Sequence, residues 1–221
     1  MVADTVVARD GTRIKICLWG HASVSLQWSD FRMSIDPVRP YVEDIYENCD
    51  DLALLTHHHA DHFDPATISR VLKVGGVVLG SKECGKIVSC RSAVPGRTYS
   101  LAGCSVETVP AYNITSGHIQ YHPRERGDVG YVLKIGGSRI YFAGDTEDVC
   151  EVCALRDIDI AFLPVNQPYT MTIDQVVHVV REMCPKVLYP YHYGSSAGVT
   201  DVAILQECLK GVCDVRIRNM A

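Results

Sequence analysis

Residues 56–62 read Thr-His-His-His-Ala-Asp-His, and no other stretch limits the fold and chemistry of this chain so strongly. Four of the nine histidines fall within six residues here, directly after the apolar run 52–55 (LALL). Such a run reads as a strand buried on both faces. In extended backbone, residues i and i+2 point the same way, so His57 and His59 aim at one point while His58 points away. Asp61 continues the register of His57 and His59. The next residues, Asp64-Pro65, read as the N-cap and first position of a helix. The chain therefore turns over 60–62, and His62 faces the same cavity from another side. Imidazoles crowded beside a buried strand repel one another when protonated and bury unpaired polar atoms when neutral. A bound cation relieves both problems, and imidazole with carboxylate suits Zn, Fe or Mn better than Ca or Mg.

The rest of the chain supplies a scaffold for this cluster. Its 221 residues are 47% hydrophobic, enough to bury a large core, and residues 1–221 read as a single domain without a linker or repeat. Segments 13–19, 23–28 and 31–35 read as an antiparallel meander, the last ending at Asp36-Pro37. Further strands are expected at 77–79, 97–101, 105–110, 129–135, 139–142, 158–163, 186–189 and 213–217. Helices are expected from Pro65, near 82–89, at 172–183 and at 201–210. Helices trailing strands in both halves point to two β-sheets packed face to face with helices outside, an α/β class. Residues 111–128 (AYNITSGHIQYHPRERGD) have no periodicity, and a loop of that length inside a domain is usually functional.

The net charge of −5, without a basic patch, disfavours a nucleic-acid substrate. No apolar run approaches the roughly 18 residues that a membrane span needs. The N-terminal stretch has no signal-peptide pattern, so a cytoplasmic location is expected. The ten cysteines are scattered, mostly in apolar runs, and most read as small buried hydrophobes in a reducing compartment. Cys150 and Cys153 have CxxC spacing, but one such pair cannot close a four-thiolate zinc site.

HxHxDH after an apolar strand resembles the signature of the metallo-β-lactamase superfamily. The remaining marks follow in order: Gly20-His21 between strands, Asp36-Pro37 at a strand end, Gly144-Asp145-Thr146, and His192 after a late strand. Within the superfamily the chain looks most like the compact branch that includes ascorbate-6-phosphate lactonase. The resemblance implies an αββα sandwich of two mixed sheets, with two divalent cations, most simply Zn with Fe or Mn as alternatives, at one edge. It implies that His57 and His59 hold the first cation, that Asp61, His62 and His192 hold the second, and that Asp145 bridges them. One departure stands out. The family's third histidine for the first cation is replaced by Ala111-Tyr112-Asn113, and Asn113 is a poor zinc ligand. His118 or His122 on the following loop is expected to substitute, with His122 favoured because Pro123 stiffens it. Asp36, His21 and Asn113 are expected to support the ligands from behind.

The reaction this implies is hydrolysis of an ester, lactone or phosphodiester of a small substrate by hydroxide generated at the cations. Asp61 and His192 are the residues expected at the reacting atoms, and Arg124 and Arg126 could grip an anionic group. The competing reading is a weakly active or inactive metal-binding sensor on the same fold, for which the displaced third histidine is the main argument. The oligomeric state stays open.

Overall fold

The computed structural model describes residues 2–39, 41–42 and 47–221. One seven-stranded sheet follows chain order. It comprises β1 (Val2–Val7), β2 (Arg13–Gly20), β3 (Ser23–Trp28), β4 (Phe31–Ile35), β5 (Asp50–Leu55), β6 (Leu72–Gly80) and β7 (Arg91–Ser92). Its first four strands pair antiparallel and the others parallel. The second sheet starts with β8 (Thr98–Leu101), β9 (Cys104–Pro110), β10 (Val129–Ile135) and β11 (Ser138–Phe142), all antiparallel. It continues in parallel through β12 (Ile160–Pro164) and β13 (Val187–Tyr191). A short ribbon, β14 (Gly194–Ser195) with β15 (Gly198–Val199), precedes the last strand, β16 (Asp214–Val215), which pairs with β13. Both sheets are therefore mixed, as the αββα expectation requires.

Alternation along the strands builds the layer between the sheets. Ile14, Ile16 and Leu26 of the first sheet share one buried cluster with Leu133, Ile140 and Phe162 of the second. Phe142, Phe162 and Tyr189 stack across three neighbouring strands at 4.4 and 4.8 Å. Four helices among the described residues complete the fold: α1 (Pro65–Val71), α2 (Cys150–Cys153), α3 (Ile173–Met183) and α4 (Ala203–Cys208). Asp64 caps α1 through Ala66, and a Thr172/Gln175 capping box starts α3. The buried stripe of α3 is Val176, Val179, Val180 and Met183, and His178 lies outside it against Asp148.

Two expectations need correction. Residues 82–89 form only a 3-10 turn at Cys84–Lys86, because Glu83 provides no side-chain cap and Gly85 weakens any helix there. Strand β1, whose exposed Val2 and Val7 mark it as an edge, has no clear apolar alternation and escapes pattern reading. The topology matters for function in one respect. Four strands of parallel pairs, β4, β5, β11 and β13, run out at the same edge, at Asp36, Thr56-His57, Gly144-Asp145 and His192.

Candidate metal centre

Asp36 is the hub of the buried side of this edge. Its Oδ1 accepts the Thr56 N–H at 2.8 Å, and its Oδ2 accepts the Thr56 hydroxyl at 2.6 Å. Oδ2 also lies 2.8 Å from His62 Nδ1. Having given its proton to Asp36, the Thr56 oxygen can only accept from His57 Nδ1, 3.0 Å away. Neutral His57 and His62 thus keep their protons on Nδ1 and turn a lone pair on Nε2 inward. His57 Nε2, His62 Nε2, His192 Nε2 and Asp145 Oδ1 are buried and have no hydrogen-bond partner. Buried polar atoms are rarely left so, and their convergence is what a cation site requires.

Asp145 stands between two groups of imidazoles. Its Oδ2 lies 3.3 Å from His122 Nε2, 3.2 Å from His192 Nε2 and 3.9 Å from His57 Nε2, while Oδ1 lies 3.2 Å from His62 Nε2. On one side His57, His59 and His122 present nitrogens within 4.8 Å of one another; on the other, His21, Asp61, His62 and His192 do the same. Asp61 Oδ2 faces His192 Nε2 at 3.5 Å and His21 Nε2 at 3.1 Å. Backbone strain gathers here as well. His21, Asp36 and His192 all have positive φ, +51°, +44° and +49°, in a region L-residues avoid.

The loop 111–128 brings His122, not His118, to the cluster. His122 is buried with its ring 5.0 Å from that of His57. His118 instead sits with Nδ1 3.6 Å from Glu147 Oε1. Asn113 reaches no imidazole with its side chain, which bonds the carbonyls of His118 and Tyr169, but its N–H donates to the His122 carbonyl at 2.8 Å. Pattern reading missed Glu147, whose buried Oε2 accepts the N–H groups of Ile114 and Thr115 at 2.7 and 2.6 Å and ties the loop down. Its only sequence signal is its place two residues after Asp145.

Both loop arginines are engaged by neighbouring carboxylates, as a charged loop would have them. Arg124 pairs with Glu151 and lies over the Tyr112 ring. Arg126 pairs with Asp128 and donates to His59 Nε2 and His122 Nδ1, both at 2.9 Å. Cys150 and Cys153 sit on α2, where Cys150 Sγ approaches Glu151 and Cys153 Sγ the Asp148 carbonyl.

Charge follows from this packing. Burial holds His57 well below its usual range, and burial with His122 and Arg126 nearby takes His59 down to about 4. Burial also opposes charge on His62 and His192, but the carboxylates win. Asp145 and Asp36 raise His62, and Asp145 with Asp61 lifts His192 to about 9. The same imidazoles outweigh desolvation at Asp145 and lower it. Divalent cations held among these groups would take the place of the positive charge that the carboxylates favour on His62 and His192.

The centre opens into a cavity of about 770 Å³ lined by His21, Tyr41, Asp61, Tyr121, Tyr169 and Ser195 among others. Among the described residues, no lysine or arginine lines it. Of the two carboxylates, Asp61 is the accessible one, with 45% of its side chain exposed, whereas Asp145 is buried.

Two mixed sheets carrying a histidine- and aspartate-rich centre at the edge where their parallel strands end define a metallo-hydrolase class of protein. The family profile for the beta-lactamase superfamily domain matches residues 15–192, and the chain belongs to the metallo-β-lactamase superfamily, among its metal-dependent hydrolases. It is 32% identical to a UPF0173 metal-dependent hydrolase of Thermus thermophilus over 197 residues, covering 82% of this chain and 84% of the relative. A UPF0173 metal-dependent hydrolase of Nanoarchaeum equitans is 31% identical, covering 82% and 85%. A crystal structure from Parabacteroides distasonis, assigned as a metal-dependent hydrolase, superposes with a TM-score of 0.93 at 39% identity, covering 100% and 99% of the two chains. Igni18, a metallo hydrolase of Ignicoccus hospitalis, shares the fold at a TM-score of 0.76 and 23% identity, over 93% and 94% of the chains.

Proposed function

We propose that this chain is a dinuclear hydrolase of small esters, lactones or phosphodiesters, folded as one domain. The observation that carries the reading is the ring of partnerless buried Nε2 atoms around Asp145. His57, His59 and His122 would hold a first cation, Asp61, His62 and His192 a second, and Asp145 would be shared. Divalent cations held there would lower the pKa of bound water toward about 7 and polarise the oxygen of the bond to be cleaved. The chain's own groups do the rest. Asp61, the exposed carboxylate beside His192, orients the attacking water and takes its proton. Asp36 and Thr56 fix the tautomers of His57 and His62, so no reorganisation is needed during reaction. Tyr41, Tyr121 and Tyr169 offer ring faces and hydroxyls to the substrate.

The absence of lysine and arginine from the described cavity wall favours an uncharged ester or lactone over a phosphodiester. The approach of His122 Nε2 to within 3.3 Å of Asp145 Oδ2 supports a complete first site and so favours a hydrolase over an inactive sensor. Ten unpaired thiols agree with a reducing, cytoplasmic setting, and no helix of the described residues is long and apolar enough to cross a membrane. The test is Asp61→Ala and His192→Ala, assayed for bound metal by elemental analysis and for turnover of aryl esters, lactones and phosphodiesters. Loss of turnover in both variants, with reduced metal content, is expected; full turnover in either overturns the reading.

A further inference from the structure

We infer that His21 is a direct ligand of the second cation, not only a support for Asp61, so that this site offers five protein donors and suits Fe(II) or Mn(II) better than Zn(II). The inference rests on the dinuclear reading above and deepens it. Around an ion with bonds of about 2.1 Å, neighbouring donors lie about 3.0 Å apart in an octahedron, about 3.4 Å apart in a tetrahedron, and opposite octahedral donors about 4.2 Å apart. His21 Nε2 is 3.1 Å from Asp61 Oδ2 and His192 Nε2 is 3.5 Å from that same oxygen, while Asp145 sets Oδ2 3.2 Å from His192 Nε2 and Oδ1 3.2 Å from His62 Nε2. The two separations at Asp61 Oδ2 match the edges of one coordination polyhedron, with a carboxylate oxygen of Asp145 beside His62 and His192. The ligand atoms of His21, Asp61, His62 and His192 also all lie within 4.8 Å of one another. His21 Nε2 and His192 Nε2 both turn toward this one carboxylate oxygen, so three donors already face a common point.

The fold holds the His21 ring in place from every side. Its backbone adopts a left-handed φ of +51°, its ring stacks on Tyr41 at 5.6 Å and packs 3.9 Å from His192, and its carbonyl accepts the His192 N–H at 3.0 Å. A side chain needed only to donate one hydrogen bond to the half-exposed Asp61 does not require such restraint. With His21, the second site has three imidazoles and two carboxylates. Catalytic zinc usually takes three protein ligands and a water, whereas Fe(II) and Mn(II) accept six donors of mixed nitrogen and oxygen type.

The experiment is a crystal structure of the full chain loaded with Mn(II), with anomalous data at the manganese edge. A cation bound by Asp61, His62 and His192 with His21 Nε2 at about 2.2 Å supports the assignment; the same cation with His21 Nε2 beyond about 3 Å overturns it. No cation at the cluster at all would instead defeat the dinuclear reading, and this inference with it. In solution, His21→Asn keeps the left-handed turn and His21→Gln keeps a donor for Asp61. Equilibrium dialysis with Mn(II), on variants whose melting temperature shows them folded, is expected to fall from two bound ions to one in both. Retention of the second ion by the Gln variant at wild-type affinity would show a hydrogen-bonding role only and would overturn the inference.

Discussion

Asp36 Oδ2 lies 2.8 Å from His62 Nδ1, and the same carboxylate governs His57 through Thr56. One buried acid thus aligns an imidazole in each half of the centre. An amide at this position has a single acceptor oxygen and cannot serve the Thr56 N–H, the Thr56 hydroxyl and His62 together. Asp36→Asn is therefore expected to weaken cation affinity about 10–100-fold and to cost about 1–3 kcal/mol of stability. Metal titration and urea unfolding would check this, and unchanged affinity would refute it.

Glu147 restrains the loop that delivers His122. Removing its carboxylate strands the N–H groups of Ile114 and Thr115, which it now satisfies. Glu147→Ala is expected to cost about 1–3 kcal/mol and to speed tryptic cleavage at Arg124 and Arg126, while Glu147→Gln, keeping an acceptor, shows a smaller effect. Limited proteolysis followed by mass spectrometry reads the difference directly. Equal cleavage rates in wild type and the Ala variant would show that the loop is held elsewhere.

The contrast between these two residues marks what was legible in the sequence. His57, His59, Asp61 and His62 sit on a strand end and the turn after it, where side-chain direction follows from parity, and the two-sheet architecture followed from the strand and helix pattern. Asp36, Asp145 and His192 were legible as strand ends matching a family pattern. Arg126 and the choice between His118 and His122 depend on an aperiodic loop, whose course is set by long-range bonds such as those to Glu147 and Tyr169. No local periodicity encodes those bonds. The loss of the expected 82–89 helix has a local cause, Gly85 without a cap, that propensity could have flagged.

Asp159 gives a pH-dependent contribution with a definite sign. It binds Arg9 Nη2 at 2.9 Å, Lys186 Nζ at 2.8 Å and the Arg139 N–H at 3.0 Å. Burial raises its carboxyl, but Lys186, the Arg139 backbone and Arg9 outweigh that and hold it below its ordinary value. A carboxylate lowered in the folded state adds stability above its unfolded pKa of about 3.9, and that stability is lost as pH falls through the folded value. Asp159→Asn is expected to be about 1 kcal/mol less stable than wild type at pH 7, with the gap closing near and below pH ~3. Urea unfolding at the two pH values measures it; a gap independent of pH would show the ion pairs contribute nothing.

Gly130 tests how tightly the backbone around Asp145 is packed. A Cβ there would lie 2.5 Å from the Ala143 carbonyl oxygen and 2.7 Å from that of Phe142, main-chain atoms that cannot move aside alone. Ala143 stands two residues before Asp145, and at the intervening Gly144, with φ +65°, an added Cβ would lie 3.1 Å from Thr56 Cβ. Gly130→Ala must therefore push the end of β11, and with it the shared carboxylate, away from the imidazoles. The expected result is a loss of about 1–3 kcal/mol together with reduced metal content. Gly85→Ala is the control, because its Cβ would meet only Cys90 Sγ at an ordinary 3.5 Å. That variant should stay within about 0.5 kcal/mol of wild type and keep its metal. Melting temperature and metal per chain, measured on both variants, would reveal an error if Gly130→Ala retained full occupancy.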